Sequence, residues 1–292
     1  SLWIRNSDMT LERVLVEHSR LRGIYVDRGS PVIRMSEVRD SGGDGVYVYS
    51  YYGDAHPVFE GVKLLSNGED GLEVNANGSM GGFYVEFLDG EVSFNGRDGI
   101  FCSKNGRVKV SGVRFYDNGR YPLVGVLSGL GEGNEFIGNG IKAIGLRGEV
   151  LPGGDYSLGE EGEIRTYFLV GSDDLTISTD SHLTIYSGIV FKLGKWSSIT
   201  VNGVLRVLGL EGSEVVFTSV NDDDYGEVLA ESTGSPSSGD WDYIKLDGSD
   251  DSLLEDVIIR YGGDNTASLW IRNSDMTLER VLVEHSRLRG IY

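Results

Sequence analysis

Acidic pairs are the first residues in this 292-residue chain that could do chemistry. Asp173–Asp174 and Asp250–Asp251 each close a Gly-Ser-Asp-Asp run. Two neighbouring carboxylates can serve as acid and base on a glycosidic bond. A denser cluster, VNDDDYGE at 220–227, holds Asp222, Asp223, Asp224 and Glu227 in a long Ser/Gly/acid-rich loop at roughly 220–240. Such hard oxygen ligands suit Ca²⁺, although the full EF-hand spacing and its closing Glu are missing. In VYVYSYYGD, Tyr47, Tyr49 and Tyr51 lie two apart, with Tyr52 beside them. An extended strand puts those three on one face and Val46 and Val48 on the other. With the valines inward, the tyrosines form an outer stripe that can stack on sugar rings. A cross-strand aromatic ladder or a contact between repeats accounts for the same spacing. No phosphate-binding Gly loop, Cys/His metal cluster or Ser/His/Asp set stands out.

The elements that would carry these residues repeat. Residues 11–24 read LERVLVEHSRLRGI, 59–72 read FEGVKLLSNGEDGL and 87–100 read FLDGEVSFNGRDGI, and 33–46 and 110–123 follow the same pattern. The anchoring Ser or Asn falls at 19, 41, 67, 95, 118 and 139, in steps of 22, 26, 28, 23 and 21. A period near 24 that slips from step to step marks a solenoid with loops of varying length. Val14/Val16, Val62/Leu64, Leu175/Ile177 and Leu183/Ile185 alternate as strands do, and no helical period is sustained. Asn-Gly pairs, such as 67–68, 95–96 and 118–119, favour turns that need φ > 0.

Hairpins 8–12 residues apart would not return one Asn per long unit. A coil of two or three short strands would, stacking Asn67, Asn95, Asn118 and Asn139 into a structural amide ladder. The expected fold is all-β: a right-handed parallel β-helix of about 11 coils of roughly 24 residues each. A longer repeat contains the short one. Residues 1–25 recur without mismatch at 268–292, an offset of 268 − 1 = 267. That predicts a tandem array with a 267-residue period.

Bulk composition narrows the function classes. There are 45 acidic and 26 basic residues, net −19, which disfavours nucleic acid and anionic membrane surfaces. Only 5 prolines among 43 glycines argue for ordered turns over disorder. Cys102 is the sole cysteine, so no internal disulfide exists; among apolar neighbours it reads as a buried, inert thiol. No apolar run reaches membrane-spanning length.

The segment TYFLVGSDDLTISTDSHLTIYSGIVFKLGKWSSITVNGVLRVLGLEGSEVVFTS (166–219), followed by GDWDYIKLDGSDDSLLEDVIIRYGG (239–263), resembles the opening of right-handed parallel β-helix domains of the pectin-lyase-like superfamily, found in bacterial secreted and surface proteins. The resemblance implies the fold more than a function, because lyases, hydrolases, adhesins and stalks share it. It also implies that a unit begins near 165. The Gly-rich acidic stretch 147–164 is then the linker or unit boundary, 1–150 the C-terminal part of one β-helix unit and 165–292 the N-terminal part of the next. Glycosidases of that superfamily carry His-Gly and Arg-x-Lys motifs after the Asp pair, and this chain has no His-Gly. The expected role is therefore a non-catalytic repeat of an extracellular or cell-surface fibre or adhesin. Its partners would be identical neighbouring repeats, joined covalently or head to tail. The alternatives are a polysaccharide lyase or hydrolase and a carbohydrate-binding adhesin with glycan partners.

Overall fold

The computed structural model describes residues 1–51, 55–77 and 83–292. It is an all-β, right-handed parallel β-solenoid whose turns recur about 24 residues apart. The one helix among the described residues is the 3₁₀ turn Leu127–Gly129. Contacts divide the chain into two compact units, Ser1–Ile144 with Glu161–Glu163, and Gly145–Glu160 with Ile164–Tyr292.

In the first unit the first five coils each contribute one strand to each of three parallel sheets; in the sixth the 3₁₀ turn Leu127–Gly129 stands in place of the second strand. Coil one supplies Leu2–Arg5, Thr10–Glu12 and Leu15–Glu17; coil two supplies Ile24–Asp27, Val32–Arg34 and Glu37–Arg39. Alternation fills the interior. Ile33, Phe59 and Phe87 stack in one sheet and Val38, Leu64 and Val92 in another, all at 0% exposure. Burying each such side chain contributes about 1.5–3 kcal/mol. Cys102 is part of this core, also at 0% exposure.

The corners explain the anchoring residue. A left-handed residue precedes each one: His18, Asp40, Ser66, Phe94 and Asp117 have φ between 49° and 58°. The Gly after each Asn, expected to supply the positive φ, does not appear among the positive-φ residues. It serves close stacking instead. A Cβ on Gly96 would lie 2.3 Å from the Gly68 carbonyl oxygen of the coil before. The sharp turn falls two residues before that Gly, on side chains that bear the left-handed strain of roughly 1–2 kcal/mol.

In the second unit Leu175–Ile177, Ile199–Val201 and Ile244–Asp247 form one parallel run, and Ser181–Tyr186, Val204–Leu208 and Leu253–Arg260 another. The stretch 147–164, expected to lack strands, carries Glu149–Leu151 and Gly154–Leu158, paired with Leu175–Ile177 and Ser181–Tyr186. Backbone pairing holds these strands although their Gly and acidic side chains fit a pleated surface poorly. The division between units lies just ahead of them, between Ile144 and Gly145.

Candidate functional site

The Asn column forms a continuous chain of amide hydrogen bonds. Asn67 Nδ2 donates to Asn95 Oδ1, Asn95 to Asn118 and Asn118 to Asn139, each at 2.9 Å. Each oxygen also accepts a backbone N–H from the preceding coil, for example Asn67 N at 3.1 Å from Asn95 Oδ1. A second branch runs from each Nδ2 to a strand carbonyl, such as Asn95 to Leu64. All four side chains are at most 4% exposed. In the first two coils Ser19 and Ser41 take the position, and their buried hydroxyls have no hydrogen-bond partner among the described residues.

Three residues after the anchor runs a second column that sequence reasoning missed. Asp44 Oδ1 accepts from Asp70 N–H, Asp70 from Asp98 N–H and Asp98 from Tyr121 N–H. The signal was present: the Asp before Gly in SGGDG, NGEDG and NGRDG. Arg22 pairs with Asp44 at 3.2 Å, and Arg97 and Arg120 lie 3.8 Å from Asp70 and Asp98. Burial first, and then the Asp98 charge, push Asp70 up to about 7; burial also raises Asp44 and Glu73. Among the described residues, Asp44, Asp70 and Glu73 are the acids close enough together to share a cation.

This column predicts a pH dependence. Asp70 holds a proton in the folded unit up to about pH 7, while the unfolded chain releases it near 3.8. The folded state binds more protons between those values, so stability falls as pH rises from about 4 to 7 and levels off above. Full expression of the shift would cost on the order of 4 kcal/mol. Urea unfolding across that range should show the decline, and Asp70→Asn, which keeps the acceptor, should flatten it.

The proposed cation ligands do not converge. Asp222 is fully buried, accepts from Thr218 at 2.5 Å and pairs with Arg260 at 3.1 Å. Asp223 accepts from Ser232, and Asp224 points to solvent. Beside Glu227, the buried Lys192 amine donates to the carbonyls of Asp222 and Glu227 at 2.8 and 2.7 Å. Burial pulls that amine's pKa down. The Lys192 amine and the Arg260 guanidinium thus lie among the acids expected to hold Ca²⁺.

The aromatic stripe is partly covered. Val46 and Val48 face the core, but Tyr47 is only 9% exposed, with its ring 5.4 Å from Tyr25 and 3.6 Å from the Arg22 guanidinium. Trp3 stacks on Tyr25 at 5.7 Å, continuing a ladder across strands. Tyr49 is half-buried and Tyr51 exposed; Tyr52 lies outside the described residues.

The paired carboxylates are divided as well. Asp173 pairs with Arg147 at 3.4 Å, and Asp174 accepts from the Ser198 amide and hydroxyl at 2.8 Å. Asp250 accepts from Asp275 N–H. Asp251 lines a groove of about 360 Å³ with Asp155, Tyr156, His182 and Arg206, a grouping the sequence did not suggest. In it His182 Nδ1 lies 2.8 Å from Asp155 Oδ1.

The repeated 25-residue segment is extended at corresponding positions in both copies, but Thr10–Glu12 and Leu15–Glu17 of the first become one continuous strand, Thr277–Glu284, in the second; each copy contacts a neighbouring coil on one face. In the first copy Arg5 pairs with Asp27 at 3.1 Å, Glu17 with Arg39 at 2.7 Å, and Asp8 accepts from Ser30 N–H at 2.7 Å. In the second copy Arg272 lies 3.8 Å from Asp247, and Arg280 forks onto Asp256 at 2.6 and 3.0 Å. Glu284 pairs there with Arg260 at 2.7 Å, His285 stacks on Tyr261, and Asp275 donates its N–H to Asp250.

The family described as "Right handed beta helix region" matches residues 1–150. Comparison with curated proteins and with solved structures finds no match. No helix among the described residues is long and apolar enough to cross a membrane.

Proposed function

Because the chain belongs to the right-handed β-helix family, we propose that it is a non-catalytic structural repeat of an extracellular fibre or surface adhesin, stacking end to end into a stiff rod. One observation carries this reading: residues 1–25 recur without mismatch at 268–292, and each copy packs against an unlike coil. In the first copy Leu11 and Val16 remain half-exposed, whereas Ile33 and Val38, their partners in the next coil, are at 0%. In the second copy Leu278 is 36% exposed and Val283 half-exposed above fully buried Leu254 and Ile259. Engagement of Asp173, Asp174 and Asp250 in structural bonds also favours a scaffold over an enzyme.

Amide hydrogen exchange on native material tests this. The amides of the repeated coil should exchange as slowly as those of Val38 and Leu64. Rapid exchange throughout that coil would mean that its edge stays open, and the stacking role would fail.

A further inference from the structure

The two copies show opposite faces of one coil, and the faces can be combined residue by residue. The position held by Arg5 and Arg272 meets a carboxylate on both sides, Asp247 in one copy and Asp27 in the other. The position of Glu17 and Glu284 meets a guanidinium on both sides, Arg260 and Arg39. The position of Trp3 and Trp270 meets an aromatic ring on both sides, Tyr243 and Tyr25. Arg13 pairs with Glu12 of its own coil, whereas its counterpart Arg280 also pairs with Asp256 of the preceding coil.

We infer that this coil is keyed by charge to two unlike neighbours, residues 244–264 on one face and 26–44 on the other, and that it rejects a second copy of itself. The inference rests on the reading of the chain as a stacking repeat and sharpens it. The face that the first copy leaves open carries the residues that the second copy presses onto 244–264, so the partner that fits it is a further copy of 244–264. Were two copies of the segment to stack in register, Arg5 would oppose Arg272, Arg13 would oppose Arg280, Glu12 would oppose Glu279 and Glu17 would oppose Glu284. Strands about 4.8 Å apart make such like-charge pairs directly repulsive. Consecutive repeats therefore share one such coil, and two of them do not meet. The same charges guard an otherwise adhesive edge.

Sedimentation of the full chain at low salt tests this. The wild-type chain should run as a monomer and should associate more as NaCl screens the like charges. The triple variant Arg5→Gln, Glu12→Gln, Glu17→Gln removes three of the four oppositions, all but Arg13 on Arg280, while leaving Leu11 and Val16 on the edge. With an unchanged circular dichroism spectrum, it should self-associate about tenfold more tightly. Wild-type association equal to the variant's, association that salt weakens, or a folded variant that stays monomeric would each overturn the inference. None of these results bears on the fibre reading, which the axial period of native material decides separately.

Discussion

Asn95→Ala destabilises the first unit by about 4 kcal/mol, because at least two buried groups lose their partners at once and each costs about 1–3 kcal/mol. The side chain holds four bonds: Asn67 Nδ2 and N–H donate to it, and it donates to Asn118 Oδ1 and to the Leu64 carbonyl. Alanine leaves the Asn67 amide N–H facing an apolar void at a site 1% exposed. The loss does not stay local, since amides bonded in series polarise one another. Asn139→Ala, at the end of the described ladder, breaks one inter-amide bond where Asn95 breaks two, so it should cost less. Urea midpoints for the two variants check the order. Equal and small effects would mean that the ladder contributes little.

Asp222→Ala costs the second unit about 3–5 kcal/mol, the range for removing one partner of a buried ion pair. Asp222 is fully buried and Arg260 is 8% exposed, so water cannot replace the lost carboxylate. Among the described residues, Arg260 then keeps the partly exposed Glu284 as its ion-pair partner. Asp223→Ala, on the exposed part of the same loop, should change stability by less than about 0.5 kcal/mol. Thermal melts of both variants, with and without Ca²⁺, make the comparison. A bound ion would raise the wild-type melting temperature by mass action; the occupied Asp222 carboxylate predicts no such rise.

Legibility in the sequence followed recurrence. The Asn ladder could be read because one residue type returns at a fixed offset from an apolar pair, and only stacked coils turn such an offset into contact. The Asp column recurs as regularly, but beside Gly each Asp reads as an ordinary turn residue; its burial depends on the coils above and below. Alternation places Lys192 opposite the core residues Phe191 and Leu193, as the structure does. What covers it is the loop 220–240, whose fold back onto that strand has no periodic signature. The same loop brings Asp222 of the acidic run against Arg260, a contact that the run itself does not announce. Tyr47 was placed on the correct face, but the Arg22 side chain that lies over it comes from the previous coil, 25 residues away. Long-range ion pairs between coils, spaced by loops of unequal length, are the part that a single sequence hides.

The central claim is that these repeats stack into a continuous rod. Electron microscopy of native material measures it directly. With about 11 coils per 267-residue period at roughly 4.8 Å each, the account predicts an axial repeat near 50 Å. Isolated particles with no axial order, or a period unrelated to that rise, would contradict it.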